Sequence, residues 1–567
     1  MSKARVKIFI FICVCGFLSL LFKSAHLQLF QFERYATLSE KNRVKISIIR
    51  APRGKIFDRN QVLLVDNEAK FSIYVTPEID GKKDEIEHLS RTLGIEAKTI
   101  EKRLVPHRGF FSPVRLKRGV DLNIVTYLKE RNEEFPEVSV EVEPRRKYIY
   151  GRFASHILGY VGEISDVYQY GVQVGLMGVE SKYEGFLRGE DGAEYIEMDA
   201  RGRELEIFSE KKGRDPVPGN DIYLTIDFKL QKIVEETLEE FGAGACVAMD
   251  PQSGEILAML SKPNFDPNEI CEMWESLSSD PNSPLYNRAI SSGYPPGSVF
   301  KLAVAGCGLD CDVIKGEKKF KKCTGEYRFG RRVFKCWKSH GKVPLKDAII
   351  QSCDIYFYQL GQEIGLNRLC ENVRKYGFGD LVGVDLLNEN RGLVPNSKWY
   401  DKKFGKGKWS KGVVLNLSIG QGEILVTPLQ LVQFASAIGA SGKSFTPHIV
   451  KKIVDTDGKI LYEFKPTFKQ LPMSKETIEF LKTAMDGVVN VPHGTGGLAR
   501  SSKIRIAGKT GTAENPWGED HAIFCCYAPV ENPRIALCLF IENIGTGGGV
   551  AAPLAKKILE RYLYARN

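Results

Sequence analysis

An apolar segment near the N-terminus most limits where the rest of this chain can fold. Three basic residues lie within the first seven, and the run Ile8–Phe22 is then apolar apart from Cys, Gly and Ser. Lys23 ends the run, but its amine can reach the membrane interface, so that the segment extends to Phe30 and can span a bilayer. Basic residues before such a segment favour a cytoplasmic N-terminus. We therefore predict a cytoplasmic tail and transmembrane anchor in residues 1–30, with everything after it outside the inner membrane.

A cleaved signal peptide is the alternative for this segment, because its apolar core is short. The stretch Lys23-Ser-Ala25 is a poor match to the small-residue site at which signal peptides are cleaved. The sequence therefore favours an uncleaved anchor and a single-pass membrane protein.

The length and the charge of the chain narrow its class further. A chain of 567 residues is too long for one typical domain. With 43% hydrophobic and 26% charged residues, it is not expected to be disordered on a large scale. The net charge of +10 suits nucleic acid, an anionic membrane surface or an acidic substrate. We expect this charge to be spread along the chain, and no nucleic-acid motif accompanies it, so no nucleic-acid partner is expected.

Proline and charged residues cluster near Lys211–Gly219 and predict a domain boundary. We place one domain at 31–215 and a second at 216–567. In the second, strand-like segments occur near both ends, with helices between them, which predicts one sheet covered by helices in an α/β or α+β layered domain. The predicted strands are Asp221–Ile226, Ala245–Met249, Glu255–Leu260, Ala522–Ala528 and Arg534–Ile541; Asp227 is expected to cap a helix over Phe228–Phe241.

Tyr294-Pro-Pro-Gly-Ser-Val-Phe-Lys301 contains a candidate nucleophile and its base. A helix that began at Ser298 would place the Ser298 and Lys301 side chains on one face, one turn apart. Serine needs an adjacent base, and a buried lysine can supply one because burial lowers its pKa. The pair alone is weak evidence, since Ser209–Lys212 and Ser339–Lys342 have the same spacing.

Two further motifs make the signal strong. Ser352-Cys353-Asp354 and Lys509-Thr510-Gly511 follow in the order typical of penicillin-binding proteins and β-lactamases. Beyond these motifs, the chain resembles class B penicillin-binding proteins, and most closely the penicillin-binding protein 2 branch. That resemblance includes the segments Arg53–Arg59, Arg146–Gly162 and Gly175–Gly189 of the N-terminal module, and Gly420–Gln430 near the active site.

The resemblance implies an N-terminal transmembrane helix, an elongated α+β pedestal of the dimerisation type and a C-terminal transpeptidase domain. It also implies peptidoglycan D,D-transpeptidation, with Ser298 as the acylated nucleophile and Lys301 as its base. Ser352 would pass the proton to the leaving amine and Asp354 would position the substrate. Lys509 would keep the site electropositive. The substrate carboxylate would bind Thr510, a peptide would lie along the edge strand at Gly511, and the N–H groups of Ser298 and Thr512 would form the oxyanion hole.

Cys323, Cys336, His340 and Cys353 form a second constellation, with intervals of twelve, three and twelve residues. Cysteine and histidine are the usual ligands of structural zinc, which takes four tetrahedral donors. Separate free or disulfide-bonded cysteines are the alternative, and an oxidising compartment would favour disulfides. Members of the penicillin-binding protein 2 branch hold zinc here, often with carboxylates as the first two ligands, so this chain would depart by using Cys323 and Cys336. No cofactor is expected for the chemistry itself.

The implied role is cell-wall elongation and shape maintenance, with the catalytic domain in the periplasm. Expected partners are stem peptides, lipid-linked precursors, β-lactams as inhibitors, elongation-complex proteins and a polytopic glycosyltransferase of the SEDS family. Three alternatives stay open: a transpeptidase of the division septum, a D,D-carboxypeptidase or related hydrolase, and a penicillin-binding sensor.

Overall fold

A computed structural model of the protein describes residues 3–33, 44–107, 113–163, 173–198, 204–207, 212–315, 317–516 and 518–564.

The N-terminal segment is one long helix. The helix Lys3–Ala25 continues as a π-helical turn, His26–Phe30. Within the described ranges this is the one helix long and apolar enough to cross a membrane, and none of its apolar window is buried. Its length and composition suit a single membrane span.

The chain forms two compact units, each built from separate segments. The first comprises Met1–Arg53, Asn67–Arg145 and Gly189–Gly219; the second comprises Gly54–Asp66, Arg146–Arg188 and Asn220–Asn567.

The first unit contains two groups of strands. Gly192–Met198 is the central strand of a three-stranded antiparallel sheet with Val44–Ile49 and Glu204–Ile207. In the second group, the part of Leu63–Val75 from Asn67 onward pairs with Val114–Val120 and Val138–Tyr148. The apolar positions Ile73, Val75, Leu116 and Val120 are buried against the helices of the unit, which are Lys83–Leu93, Ala97–Leu104 and Leu122–Glu130.

A five-stranded antiparallel sheet, here the central sheet, organises the second unit. Its strands lie in the order Ile256–Lys262, Gly244–Met249, Ile535–Ile541, His521–Ala528 and Ala507–Ala513. Successive side chains point to opposite faces, and both faces are buried, so these strands are apolar almost throughout. Helices Phe228–Thr237 and Ala552–Tyr564 cover one face, and Pro428–Gly439 and Lys475–Asn490 cover the other.

A second sheet and a set of shorter helices complete the second unit. The sheet contains Ile460–Glu463, Val450–Val454, Asp221–Leu224 and Ile56–Phe57 in that order. Two-stranded pairs are Val161–Glu163 with Gln173–Gly175, Glu326–Phe329 with Arg332–Lys335, and Lys443–Phe445 with Phe468–Gln470. The remaining helices are Ser155–Leu158, Gly178–Lys182, Glu184–Leu187, Ile270–Ser279, Lys301–Asp310, Leu345–Ile350, Asp354–Ile364, Leu366–Lys375, Ser397–Phe404 and Val413–Ser418.

The predicted layered fold is confirmed, with the predicted strands in place to within two residues at each end. One of them, Asp221–Leu224, belongs to the second sheet instead of the single sheet that was predicted. Asp227 caps the helix that follows it by accepting from the N–H of Leu230 at 3.1 Å. That helix ends at Thr237 instead of Phe241. The amine of Lys262 donates to the carbonyl groups of Leu238 and Glu239, which satisfies acceptors at the end of the helix without a further turn.

His156 is a structural residue in this unit. It is fully buried, its Nε2 donates to the carbonyl of Pro284 at 2.7 Å, and its ring meets Phe265 edge to face. Burial, and then the charge of Arg288, lower the pKa of His156 to about 4. A neutral imidazole held by one backbone carbonyl packs as a core residue.

Replacing His156 by Gln should reduce the pH dependence of stability. An unfolded histidine takes a proton as the pH falls through about 6.5, whereas buried His156 stays neutral down to about 4, so acid stabilises the unfolded chain. We expect this one residue to remove about 2.5 kcal/mol from the free energy of unfolding between pH 7.5 and 4.5. Urea unfolding of His156→Gln at both pH values should show a smaller difference than wild type. His493→Gln, at an exposed position, is the matched control, and an unchanged difference in His156→Gln would contradict the assignment.

Candidate active site and metal centre

Ser298 lies in a tight turn pressed against the edge of the central sheet. It belongs to a 3-10 turn, Gly297–Phe300, and the α-helix begins only at Lys301. Gly297 adopts φ +52°, and a Cβ there would lie 2.5 Å from the carbonyl oxygen of Thr512. Only glycine permits both this conformation and this approach. The turn therefore places Ser298 directly beside the strand Ala507–Ala513.

The loop at Gly420 holds this turn from behind. The N–H of Gly297 donates to the Gly420 carbonyl at 3.0 Å, and a Cβ on Gly420 would lie 2.1 Å from the carbonyl oxygen of Gly297. The side-chain amide of Gln421 donates to the carbonyl of Thr512 at 3.1 Å. The sequence placed this loop near the site; the structure shows that it joins the Ser298 turn to the edge strand.

The Lys301 amine is completely buried and directed toward the second motif. Nζ donates to Oγ and to the carbonyl of Ser352, both at 3.0 Å, and to Oδ1 of Asp354 at 2.7 Å. In the part of the chain that the structure describes, no hydrogen bond joins Lys301 to the hydroxyl of Ser298. The proton transfer from Ser298 to Lys301 stays a prediction.

Lys509 approaches the same hydroxyl from the central sheet. Its Nζ donates to Ser352 Oγ at 3.2 Å and to the carbonyl of Thr510 at 2.9 Å. Burial, and then the charge of Lys301, lower the pKa of Lys509 well below its usual value. Burial also raises the pKa of Asp354, which the charge of Lys301 opposes. Ser352 Oγ therefore connects two buried amines, only one of which has a carboxylate partner among the described residues.

Ser352 has a strained backbone conformation, which the surrounding contacts hold in place. It adopts φ +54°, which is rare for a residue with a side chain. Helix Leu345–Ile350 ends just before it, and helix Asp354–Ile364 begins two residues after it. The turn between these helices directs Ser352 and Asp354 at the same amine.

Thr510, Gly511 and Thr512 lie on the edge strand of the central sheet, as predicted. This strand has one neighbour, His521–Ala528, among the described strands. A Cβ on Gly511 would lie 2.9 Å from Cγ2 of Val299, so glycine allows the strand to approach the Ser298 turn.

Two contacts at this site escaped the sequence analysis. Oγ1 of Thr495 lies 2.8 Å from Oγ1 of Thr510, and Thr495 also donates to the carbonyl of Ile350 at 3.4 Å. On the other side of the site, the Tyr294 hydroxyl donates to Glu542 at 2.6 Å, and its ring stacks on Phe540. Tyr294 and Thr510 belong to the sequence motifs, but their partners Thr495, Phe540 and Glu542 do not, so only the fold reveals these contacts.

The four Cys and His residues come together beside these side chains. The ligand atoms of Cys323, Cys336, His340 and Cys353 all lie within 4.8 Å of one another. Nδ1 of His340 is 3.5 Å from Cys323 Sγ and 3.4 Å from Cys336 Sγ. A tetrahedral zinc with ordinary Zn–S and Zn–N bonds separates such atoms by about 3.5 Å. The donor set and its spacing fit one zinc ion.

The surroundings of this cluster orient it and connect it to the second motif. His340 Nε2 lies 3.1 Å from the carbonyl of Gln351, a contact that fixes the ring of a ligand histidine. The N–H of Asp354 donates to Cys336 Sγ at 3.3 Å. Since Cys353 is the middle residue of Ser352-Cys353-Asp354, an ion held here would fix that turn.

Comparisons with known proteins agree with this architecture. A family model described as the penicillin-binding protein transpeptidase domain matches residues 244–560, and one described as the penicillin-binding protein dimerisation domain matches residues 48–224. The chain belongs to the class B penicillin-binding proteins, as the resemblance of its motifs predicted.

Relatives in the penicillin-binding protein 2 branch match nearly the whole chain. The peptidoglycan D,D-transpeptidase MrdA of Acinetobacter baumannii is 33% identical over 609 aligned positions, covering 100% of this chain and 88% of the relative. The Helicobacter pylori penicillin-binding protein PBP2, solved in complex with MreC, superposes with a TM-score of 0.81 at 29% identity over 92% of this chain and 99% of that one. A chain from a peptidoglycan synthase complex that coordinates polymerization and crosslinking superposes with a TM-score of 0.72 at 29% identity, over 99% of this chain and 98% of that one.

Gly420→Ala should slow acylation of the protein by penicillin. The added methyl group would meet the Gly297 carbonyl and push the Ser298 turn from its place, and a displacement of about 1 Å at a reacting group can cost about 100-fold in rate. The measurement is the second-order rate of labelling by a fluorescent penicillin. Gly458→Ala is the matched control, because Gly458 also has a positive φ, +82°, but open space at its Cβ. Equal rates in the two variants would contradict this role of Gly420.

Proposed function

We infer that this protein is a peptidoglycan D,D-transpeptidase that cross-links D-Ala-D-Ala stem peptides during cell-wall elongation, by way of a serine acyl-enzyme. One observation carries this inference: the hydroxyl of Ser352 lies between the buried amines of Lys301 and Lys509, beside a serine held against the open edge of a sheet. The transpeptidase relatives and the match over 244–560 support the same reaction.

We propose that Ser298 Oγ attacks the penultimate D-Ala carbonyl and that Lys301 accepts its proton. Two buried ammonium groups repel, so only one of the two amines is expected to be charged. Ser352 touches both amines, so a proton can move between Lys301 and Lys509 through its hydroxyl. Lys301 is the base when that proton is on Lys509. The same hydroxyl would return a proton to the leaving D-Ala amine, and the acceptor amine would later take the acyl group.

The edge strand would hold the donor peptide. A peptide that adds to this edge forms backbone hydrogen bonds with Ala507–Ala513 and brings its carbonyl to Ser298. The hydroxyl of Thr510 would bind the terminal carboxylate, and Thr495 would fix the direction in which that hydroxyl points. The N–H groups of Ser298 and Thr512 would stabilise the oxyanion.

Ser298→Ala should abolish labelling by a fluorescent penicillin, because the variant lacks the oxygen that forms the acyl bond. The full-length protein in detergent is incubated with the label and the bound fluorescence is read after denaturation. Ser209→Ala is the control, since Ser209–Lys212 has the same spacing in the sequence. Labelling that survives Ser298→Ala would remove the active-site assignment.

We further propose that Cys323, Cys336, His340 and Cys353 hold a structural zinc ion. The ion would supply no chemistry to the reaction. It would join Cys323 and His340 to the turn that contains Ser352 and Asp354, in a segment that has few core side chains of its own.

The purified protein should contain about one zinc per chain, and Cys336→Ser should lose most of it. We expect the thermal midpoint of the variant to fall and its labelling by penicillin to slow, because the Ser352 turn loses its support. Metal content is measured by plasma emission on the sample used for labelling. Cys271→Ser, at an exposed cysteine outside the cluster, is the control. Full labelling of a protein without zinc would keep the transpeptidase and reject the metal site.

Our proposal extends to the membrane anchor, the domain division and the partners of this chain. We propose that residues 1–30 are an uncleaved anchor in the inner membrane, that 31–215 form the pedestal, and that the transpeptidase domain, 216–567, acts in the periplasm. The solved relatives with MreC and within a synthase complex support a partnership with elongation proteins and a polytopic glycosyltransferase. β-Lactams would inhibit the enzyme by acylating Ser298.

A further inference from the structure

Two segments of the second unit contain the whole positive excess of the chain. Residues 315–346 include twelve Lys or Arg against two acidic residues, and residues 398–411 include six against one. Together they contain fifteen more positive than negative charges, although the net charge of the chain is +10. The remainder is therefore net negative, and our expectation that the charge is spread along the chain is wrong.

The two segments lie against each other. The first forms the hairpin Glu326–Phe329 with Arg332–Lys335, and the second contains the helix Ser397–Phe404 and the loop after it. Phe329, at the end of the hairpin, packs at Gly412, where a Cβ would lie 3.3 Å from its ring. The two segments therefore meet at this contact, and their lysines and arginines are here called the basic face.

The basic face is exposed and lacks neutralising partners. Of its eighteen basic side chains, all but Lys318 are exposed. In the described ranges, Lys318 is also the only one that forms an ion pair, with Glu363. Seventeen exposed like charges repel one another, which favours an anionic occupant.

The basic face begins at the catalytic residues. Cys336, the residue after the hairpin, accepts from the N–H of Asp354, and the indole of Trp337 donates to the carbonyl of Gln351 at 3.1 Å. Trp337 is 58% exposed, and the amine of Lys338 lies over its ring. An anionic polymer bound to this face would therefore lie next to Ser352.

We propose that the basic face binds an acidic peptidoglycan strand through the free carboxylates of its stem peptides, and so raises the local concentration of substrate at Ser298. This proposal rests on the proposed function. Each uncross-linked stem peptide ends in a carboxylate, and a strand repeats that charge many times. Attraction of this kind acts over about 10 Å at moderate salt and weakens as salt is added.

The test variant is Arg328→Glu/Arg331→Glu/Lys411→Glu, in full-length protein held in nanodiscs of zwitterionic lipid. The matched control, Lys459→Glu/Lys465→Glu/Lys469→Glu, makes the same charge change at exposed lysines of the same unit outside both segments. The probe is a fluorescent, soluble, uncross-linked peptidoglycan strand, used with free carboxylates and after their conversion to amides. Binding is followed by anisotropy at low and at raised salt, and each sample is also labelled with fluorescent penicillin.

We expect the test variant to bind the free-carboxylate strand about tenfold more weakly at low salt, and the control to change less than twofold. The amidated strand should bind wild type and variant alike, and raised salt should reduce the difference. Penicillin labelling should match wild type in both variants, which shows that the domain is folded. If labelling fails in the test variant, Lys402→Glu/Lys406→Glu/Lys408→Glu on the second segment replaces it.

Three results would overturn the proposal: strand binding unchanged in the test variant, an equal loss in the control, or a binding loss that persists with the amidated strand. A membrane role would also overturn it, and would appear as loss of co-flotation with phosphatidylcholine vesicles containing phosphatidylglycerol while strand binding stays intact. Failure of the proposed function is separate, since it would appear as wild-type protein that penicillin does not label.

Discussion

The hydroxyl of Ser352 is the point at which the three sequence motifs of this protein meet. Lys301 reaches it from the helix after the Ser298 turn, and Lys509 reaches it from the edge strand of the central sheet. Two buried amines near one hydroxyl are unfavourable unless charge is shared or compensated. Asp354 compensates the charge of Lys301, and the lowered pKa of Lys509 favours its neutral form, which reduces the repulsion between the two amines. The same arrangement that limits the charge allows a proton to move.

Close backbone approaches hold this arrangement in register. Gly297 packs directly against the carbonyl of Thr512, and Gly420 packs directly against the carbonyl of Gly297. Each contact leaves no space for a side chain, so three separate parts of the chain are stacked with little freedom to slide. A nucleophile placed by a short turn can then keep a fixed distance from a strand more than two hundred residues later in sequence.

The second motif depends on its own support. Ser352 has a strained backbone, and Cys353 and the contact between Asp354 and Cys336 connect that turn to the cysteine cluster. The hairpin that brings Cys336 into the cluster also forms part of the basic face. Support of the catalytic turn and attraction of an acidic substrate are therefore combined in one small, core-poor segment.

Sequence alone determined the parts that depend on residue type and local pattern. Short apolar runs predicted four of the five strands of the central sheet, because strands buried on both faces can contain little else. Three motifs in a fixed order identified the side chains that meet at Ser352, and four sulfur and nitrogen donors identified the Cys and His cluster, because few residue types suit such chemistry.

Tertiary structure alone decided which groups touch. No pattern told us that Lys301 would contact Ser352 and Asp354, that Thr495 would meet Thr510, or that Tyr294 would bind Glu542. The clustering of charge in two segments can be counted from the sequence, and it contradicts the even spread that was expected. Only the packing of Phe329 at Gly412 shows that the two segments meet. Contacts between residues far apart in the chain depend on how helices and strands pack, which a local pattern does not contain.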